Sequence, residues 1–193
     1  MYAYLNGPIT YKSPTTLHID INGVGYLVNI SLNTYSKVES LETAKLFTYL
    51  YVKEDALILF GFFDEAERSL FILLLSVSGI GPNTARIVLS SMSPLEVRTA
   101  ILTDNDIAFK KVKGVGPKTA KRIILDLRDK VQKGGAMESD TSIPVLTTAQ
   151  DEALDALVAL GFAKVKVQKV LDQLPPTGES VEVLIKSALQ KLT

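Results

Sequence analysis

A nine-residue motif occurs twice in this chain, and no other feature restricts its folding as much. Val77-Ser78-Gly79-Ile80-Gly81-Pro82-Asn83-Thr84-Ala85 returns 35 positions later as Val112-Lys113-Gly114-Val115-Gly116-Pro117-Lys118-Thr119-Ala120, with six of nine residues identical. Glycines in such a turn reach positive φ and leave the backbone uncovered. A proline after them suits the first position of a helix, where its missing amide hydrogen costs nothing. The next amides have no acceptor within their helix and lie at its positive dipole end, so an anion binds there without help from a side chain. Two such turns in one small domain predict two phosphate contacts at a fixed separation. A P-loop is excluded because Pro117, not glycine, precedes Lys118. A dinucleotide fingerprint is excluded because no strand is read before either turn.

Charge agrees with this reading once it is divided along the chain. The 193 residues carry 21 basic and 21 acidic groups, but the net charge is −1 over residues 1–63, +4 over 64–133 and −3 over 134–193. Residues 110–133 hold nine basic groups against Asp126 and Asp129, net +7, and contain the second turn. A local excess of this kind is the electrostatic footprint of nucleic-acid binding. With no cysteine and a single histidine, His18, the chain has no disulfide and no thiolate or histidine-rich metal site. His18 is read as a solvent-facing strand residue. The start Met1-Tyr2-Ala3-Tyr4 lacks a signal-peptide pattern, and the longest apolar run, residues 70–75, is far short of a membrane span. A cytoplasmic protein with no membrane partner, no cofactor and no metal is expected.

Three segments follow from periodicity. In residues 1–63, Leu17, Ile19 and Ile21 alternate with polar residues, Asn22-Gly23 marks a hairpin, and Tyr26, Val28 and Ile30 continue the alternation. A second hairpin has the tip Lys53-Glu54-Asp55-Ala56. About five short strands in this length suit a small closed barrel, for which the OB-fold is the common nucleic-acid-binding choice, and most aromatics fit its core. Residues 64–133 read as helices joined by the two turns. Asp64 with Glu67, and Ser93-Pro94 with Glu96, have the spacing of capping boxes, and Asp104 or Asn105 can cap a short helix. Residues 134–148 are small, polar and aperiodic, a linker. Residues 149–193 read as three short amphipathic helices: the first ends at Gly161, the second spans 164–174 before Pro175-Pro176, and the third spans 179–192 with Val183, Leu184 and Leu189 on one side.

The order of these parts, with the strings Asn22-Gly23-Val24-Gly25-Tyr26, Glu54-Asp55-Ala56, Leu59-Phe60-Gly61-Phe62, the two turns and Ala156-Leu157-Val158-Ala159-Leu160-Gly161-Phe162, resembles the RuvA family along the whole chain. The resemblance implies an α+β multidomain protein: an OB-fold barrel with an acidic hairpin (1–63), a tandem helix-hairpin-helix domain (64–133), a linker (134–148) and a three-helix, UBA-like domain (149–193). It implies a non-enzymatic bacterial subunit that binds four-way (Holliday) junctions as a homotetramer, singly or as two tetramers around one junction. The junction would be held open and square-planar during recombination, DNA repair and the SOS response to DNA damage. Residues 149–193 would load and regulate the RuvB ATPase for branch migration, and the RuvC resolvase is a further implied partner. Carried onto this sequence, the phosphate ligands are Ser78, Gly79, Gly81, Asn83 and Thr84 in the first turn and Gly114, Gly116, Lys118, Thr119, Lys121 and Arg122 in the second. Glu54 and Asp55 form an acidic pin. The family often carries basic residues where Asn83 and Pro117 stand here, which shifts weight to the amides and to Lys118, Lys121 and Arg122.

Two other readings compete. A metal-dependent nuclease would use Glu54, Asp55 and Asp64. A single-strand-binding barrel would stack bases on Phe47, Tyr49 and Tyr51.

Overall fold

The computed structural model describes residues 2–134, 149–174 and 180–192, in two compact units, 1–139 and 140–193. The predicted linker therefore lies outside the described residues except for Gly134, which ends a helix.

Alternation closes the first part into a barrel. Strands β1 (Tyr4–Ser13), β2 (Thr16–Ile21), β3 (Val24–Ile30), β4 (Thr43–Val52) and β5 (Leu57–Phe62) run in the order β1-β2-β3-β5-β4, antiparallel except for the β3–β5 pair. The Asn22-Gly23 turn takes positive φ at both residues, 52° and 88°, as a tight twisted hairpin requires, and Asp20 Oδ1 accepts the Gly23 N–H at 2.9 Å. The interior is aliphatic: Leu5, Leu17, Ile19, Val28, Ile30, Leu46 and Leu59 are buried together. Gly61 is required there by space, since a Cβ would stand 2.4 Å from Val28 Cγ1.

Helix α1 (Leu32–Val38) sits between β3 and β4 and is absent from the sequence reading. Its signal is only the N-cap Ser31, whose Oγ accepts from Thr34 N–H. Its last turn is closed from across the barrel by Lys12, whose Nζ donates to Glu39 O at 2.6 Å and Leu41 O at 2.7 Å.

Five helices follow: α2 (Glu65–Leu75), α3 (Pro82–Ser91), α4 (Pro94–Leu102), α5 (Asp106–Lys110) and α6 (Pro117–Gly134). The Ser93–Glu96 capping box forms as expected, and Asn105, not Asp104, caps α5. Most aromatics do not fill the barrel: Tyr26, Tyr35 and Phe63, only partly buried, pack against its interior cluster, and the fully buried rings lie elsewhere. On β5 the period of two turns Phe60 and Phe62 outward, and both pack on Phe71 of α2, with centroids 5.0 and 4.9 Å away. Tyr49 joins them edge-on at 5.6 Å. This aromatic seam belongs to the helical core with Leu70, Leu74, Val88, Ile101 and Leu127. A small barrel interior has room for aliphatic side chains; the larger rings go to the outer face that the helices cover.

The predicted Asp64–Glu67 capping box does not form. Asp64 is the N-cap residue of α2 but makes no side-chain cap bond, and it pairs with Lys37 instead. Glu67 is fully buried and accepts from Ser31 Oγ and, at 2.8 Å, from Thr34 Oγ1. Burial pushes its carboxyl above the ordinary value, against the opposing pull of the two hydroxyls and Lys37, while Asp64 adds to the rise. A carboxyl raised on folding binds more protons folded than unfolded. Its relative stabilisation is therefore complete below the unfolded value near 4.5 and is lost as pH rises through the folded value. Wild-type protein is thus expected to lose stability relative to Glu67→Gln as pH is raised from 4.5, with a slope of at most about 1.4 kcal/mol per pH unit. Thermal melts of both proteins across pH test this, and parallel curves would refute it.

In the second unit, α7 (Ala149–Ala159), α8 (Lys164–Leu171) and α9 (Val181–Leu192) enclose Leu154, Leu157, Val167, Leu171, Leu184, Ala188 and Leu192. Gly161 takes φ 97° after α7, the left-handed helix end expected of it. Val183, placed with Leu184 by sequence, is exposed: the buried stripe of α9 runs Leu184, Ala188, Leu192.

Candidate nucleic-acid interface

The repeated motif produces the same structure twice. In the first turn Val77 and Ile80 are buried and Ile80 N–H donates to Val77 O at 3.1 Å; in the second, Val112 and Val115 are buried and Val115 N–H donates to Val112 O at 3.1 Å. The helices then begin identically, Ala85 N–H to Gly81 O and Ala120 N–H to Gly116 O, both 2.9 Å. The apolar pair anchors each loop, so Ser78, Gly79 and Gly81, and equally Lys113, Gly114 and Gly116, face solvent. Positive φ falls on the first glycine of each turn, Gly79 (92°) and Gly114 (89°). Gly81 is extended, at φ −90°, and a Cβ at Gly81 or Gly116 meets nothing within 4 Å. The second glycines thus answer no need of the isolated chain. Beyond them α3 has no side-chain cap, so the amides of Asn83 and Thr84 are open to an anion, as are those of Lys118 and Thr119 by the same geometry.

The +7 segment is not uniformly available. Lys110 pairs with Asp106, Arg128 with Asp104, and Lys130 donates to Ser76 Oγ at 3.0 Å. Lys118 and Lys121 are exposed beside the second turn, as is Lys113, which occupies the place of Ser78 in the repeat and was not among the expected ligands. Aligning the two copies is the signal that finds it. Arg122 does more than add charge: its Nη1 donates to Ser78 O at 3.4 Å, tying the second helix to the first turn. Lys118→Ala is expected to weaken DNA binding alike for every sequence, since phosphates carry no sequence information, and to flatten the slope of log K against log salt by about one contact. A salt series checks this, and an unchanged slope would remove Lys118 from the interface.

The β4–β5 hairpin is closed by Lys53 N–H to Ala56 O at 2.8 Å, leaving Glu54 and Asp55 exposed at its tip. Asp64 lies at the far end of β5, about 20 Å away for six extended residues, so these acids do not converge on a metal. Among the described residues no group of three or more His, Cys, Asp or Glu is placed to hold one. Phe47, Tyr49 and Tyr51 form no open stacking platform either: Tyr49 and Tyr51 pack against the helical core, and Lys45 and Arg68 lie over Phe47 at 5.1 and 5.9 Å. His18 packs at a tilt against Tyr11, with ring centroids 4.7 Å apart. Among the described residues no helix is long and apolar enough to cross a membrane.

An OB-like barrel joined to a tandem helix-hairpin-helix unit with open amide ends defines a DNA-binding class. Comparison with known proteins narrows it. Residues 1–61 match the RuvA N-terminal domain, 71–129 the SAM-like helix-hairpin-helix tandem, and 148–193 the RuvA C-terminal domain. The chain is 45% identical to the Holliday junction branch migration complex subunit RuvA of Bacteroides fragilis, 46% to that of Bacteroides thetaiotaomicron and 44% to that of Flavobacterium psychrophilum, each alignment covering 100% of both chains. The chain belongs to the RuvA family.

Proposed function

We propose that this protein binds four-way DNA junctions as a non-enzymatic subunit of a branch-migration complex. The observation that carries the reading is the duplicated turn, which offers two sets of unpartnered amides whose anchors Val77, Ile80, Val112 and Val115 share one buried core, with Arg122 bonded across. Two phosphates of one duplex arm, one from each strand across the minor groove, are the ligand such a pair fits. Ser78, Gly79, Gly81, Asn83 and Thr84 grip the first, and Gly114, Gly116, Lys118, Thr119 and Lys121 the second, with Arg122 adding charge. Four arms call for four subunits, a homotetramer that holds the junction open and square-planar, with one or two tetramers to a junction. The carboxylates of Glu54 and Asp55 then meet near the crossover, keep the strands apart and disfavour uninterrupted duplex. Residues 149–193 dock on the RuvB ATPase, which supplies ATP hydrolysis; RuvC is a further partner. A mobility-shift comparison of a four-way junction with linear duplex at matched salt tests the reading, and equal affinity for the two would refute it.

A further inference from the structure

Junction selectivity by an acidic tip requires that the tip be held in a fixed place relative to the turns that grip the arms. The hairpin is a lever. Its tip lies about 20 Å from the base of β5, so a rotation of about 10° at the base moves the carboxylates by about 3.5 Å. A charge pair about 4 Å apart that moves to about 7.5 Å loses about half of its interaction energy. The aromatic seam of Phe60, Phe62 and Phe71 joins the barrel to α2 there, but apolar contact is non-directional, and the bonds from Arg68 of α2 to Ala3 O and Thr48 O are long, 3.2 and 3.4 Å. Shorter hydrogen bonds resist such a rotation.

We propose that Glu67 is a positioning residue for junction selectivity, locking the acidic hairpin in register with the paired turns through Thr34 and Ser31. The base of the hairpin strand enters the network directly: Phe63 N–H, one residue beyond β5, donates to Thr34 Oγ1 at 3.0 Å. Thr34 Oγ1 donates in turn to Glu67 Oε2 at 2.8 Å, and Ser31 Oγ, which accepts from Thr34 N–H at 3.0 Å, donates to Glu67 Oε1. Glu67 stands on α2, the helix that runs into the first turn. The helix leaving that turn is tied as well, to the β1–β2 turn by Arg86 Nη1 to Thr15 O at 3.1 Å and to α1 by Leu32 N–H to Ser90 Oγ at 3.1 Å. The first turn is thus held from both sides, and the second is linked to it through the shared core of Val77, Ile80, Val112 and Val115, with Arg122 bonded to Ser78 O. The charged groups facing Glu67 are Lys37 of α1 and Asp64 at the start of α2, which pair with each other. Both oxygens of the buried carboxylate are used, and the carboxylate's raised proton affinity shows that this placement opposes its charge. A buried charge adds little stability over an apolar replacement, so stability alone gives no reason for a carboxylate here.

The inference rests on the reading of Glu54 and Asp55 as an electrostatic pin, and the test separates the two. Junction and duplex affinities at low salt are measured on the full-length protein for wild type, Glu67→Gln, Thr34→Val, Thr34→Ser and the pin variant Glu54→Gln/Asp55→Asn, with melts showing each to be folded at the assay temperature. Thr34→Val and Glu67→Gln should lower the junction-over-duplex ratio by about twofold, the change when a charge pair about 4 Å apart in water moves to about 7.5 Å. Thr34→Ser, which keeps the hydroxyl, should restore it. Adding Thr34→Val to the pin variant should lower the ratio no further, because a misplaced tip without charge has nothing left to lose. Should Glu67→Gln fail to fold, the Thr34 pair decides. A ratio unmoved by Thr34→Val, or equal loss of both affinities, overturns the inference while the pin variant still shows its effect. If the pin variant itself leaves the ratio unchanged, the pin reading fails and the inference with it.

Discussion

Gly116→Val is expected to weaken junction binding by about 100-fold or more while leaving the chain folded. The free protein has little reason to object to the change. Gly116 is not in the left-handed region, and its Cβ position is open. The cost is that of a β-branched residue at a helix N-cap, about 1 kcal/mol, or a few degrees in Tm. The ligand has every reason to object. The two γ-carbons of valine would occupy the space in front of the Lys118 and Thr119 amides, where a phosphate oxygen must come. Losing two hydrogen bonds to a charged group, each worth about 1.5–3 kcal/mol, accounts for the effect. Gly114→Ala makes the informative contrast. Its φ of 89° is strained for any L side chain, so it should cost about 1–2 kcal/mol of stability even without DNA. Anisotropy titrations with junction DNA and circular-dichroism melts of both variants test this division. Normal binding by Gly116→Val would mean that the backbone does not grip the phosphate.

Removing the pin charges is expected to raise affinity for linear duplex and shrink the preference for junctions. Glu54→Gln/Asp55→Asn keeps size and turn preference and deletes two exposed charges per subunit, eight in a tetramer. Two like charges about 4 Å apart repel by roughly 1 kcal/mol in bulk water and roughly 4 at an effective dielectric of 20, so several such pairs discourage uninterrupted duplex strongly at the centre. Junction binding should hold or strengthen. The gain on duplex should be largest at low salt and fade above about 0.15 M, where the Debye length falls to about 8 Å. A catalytic role for these acids would instead show as an all-or-none loss of strand cleavage with affinities little changed. Solvated acids with no role would leave both untouched. One double variant, titrated with junction and duplex across a salt series, distinguishes the three, and unaltered discrimination at low salt would remove the pin.

Much of this protein is written locally. Alternation at residues 17–30, the Asn22-Gly23 turn and the Ser93–Glu96 box need only neighbouring residues to act, and each formed as expected. The duplicated turn was legible for the same reason: apolar Val77 and Ile80, glycine and proline dictate the loop within nine residues. Which glycine takes the positive φ was not legible, because either could. The buried anchor after each first glycine decides it. The aromatics were misplaced because a period of two says that Leu59 and Phe60 face opposite ways, not which face is the interior. The diameter of the closed barrel and the cover of α2 settle that. The fate of Glu67 was furthest from view. Its spacing from Asp64 fits a capping box, yet its partners lie 33 and 36 residues away, on α1 and at its N-cap. A polar side chain bonds whatever the fold brings to it, and only after burial does leaving it unpaired become costly. Sequence by itself therefore determined the strands, the described helices other than α1 and the two glycine turns, which arise from short-range backbone geometry. Tertiary structure alone decided how those turns are held relative to the acidic hairpin, because that depends on contacts between elements that no local pattern specifies.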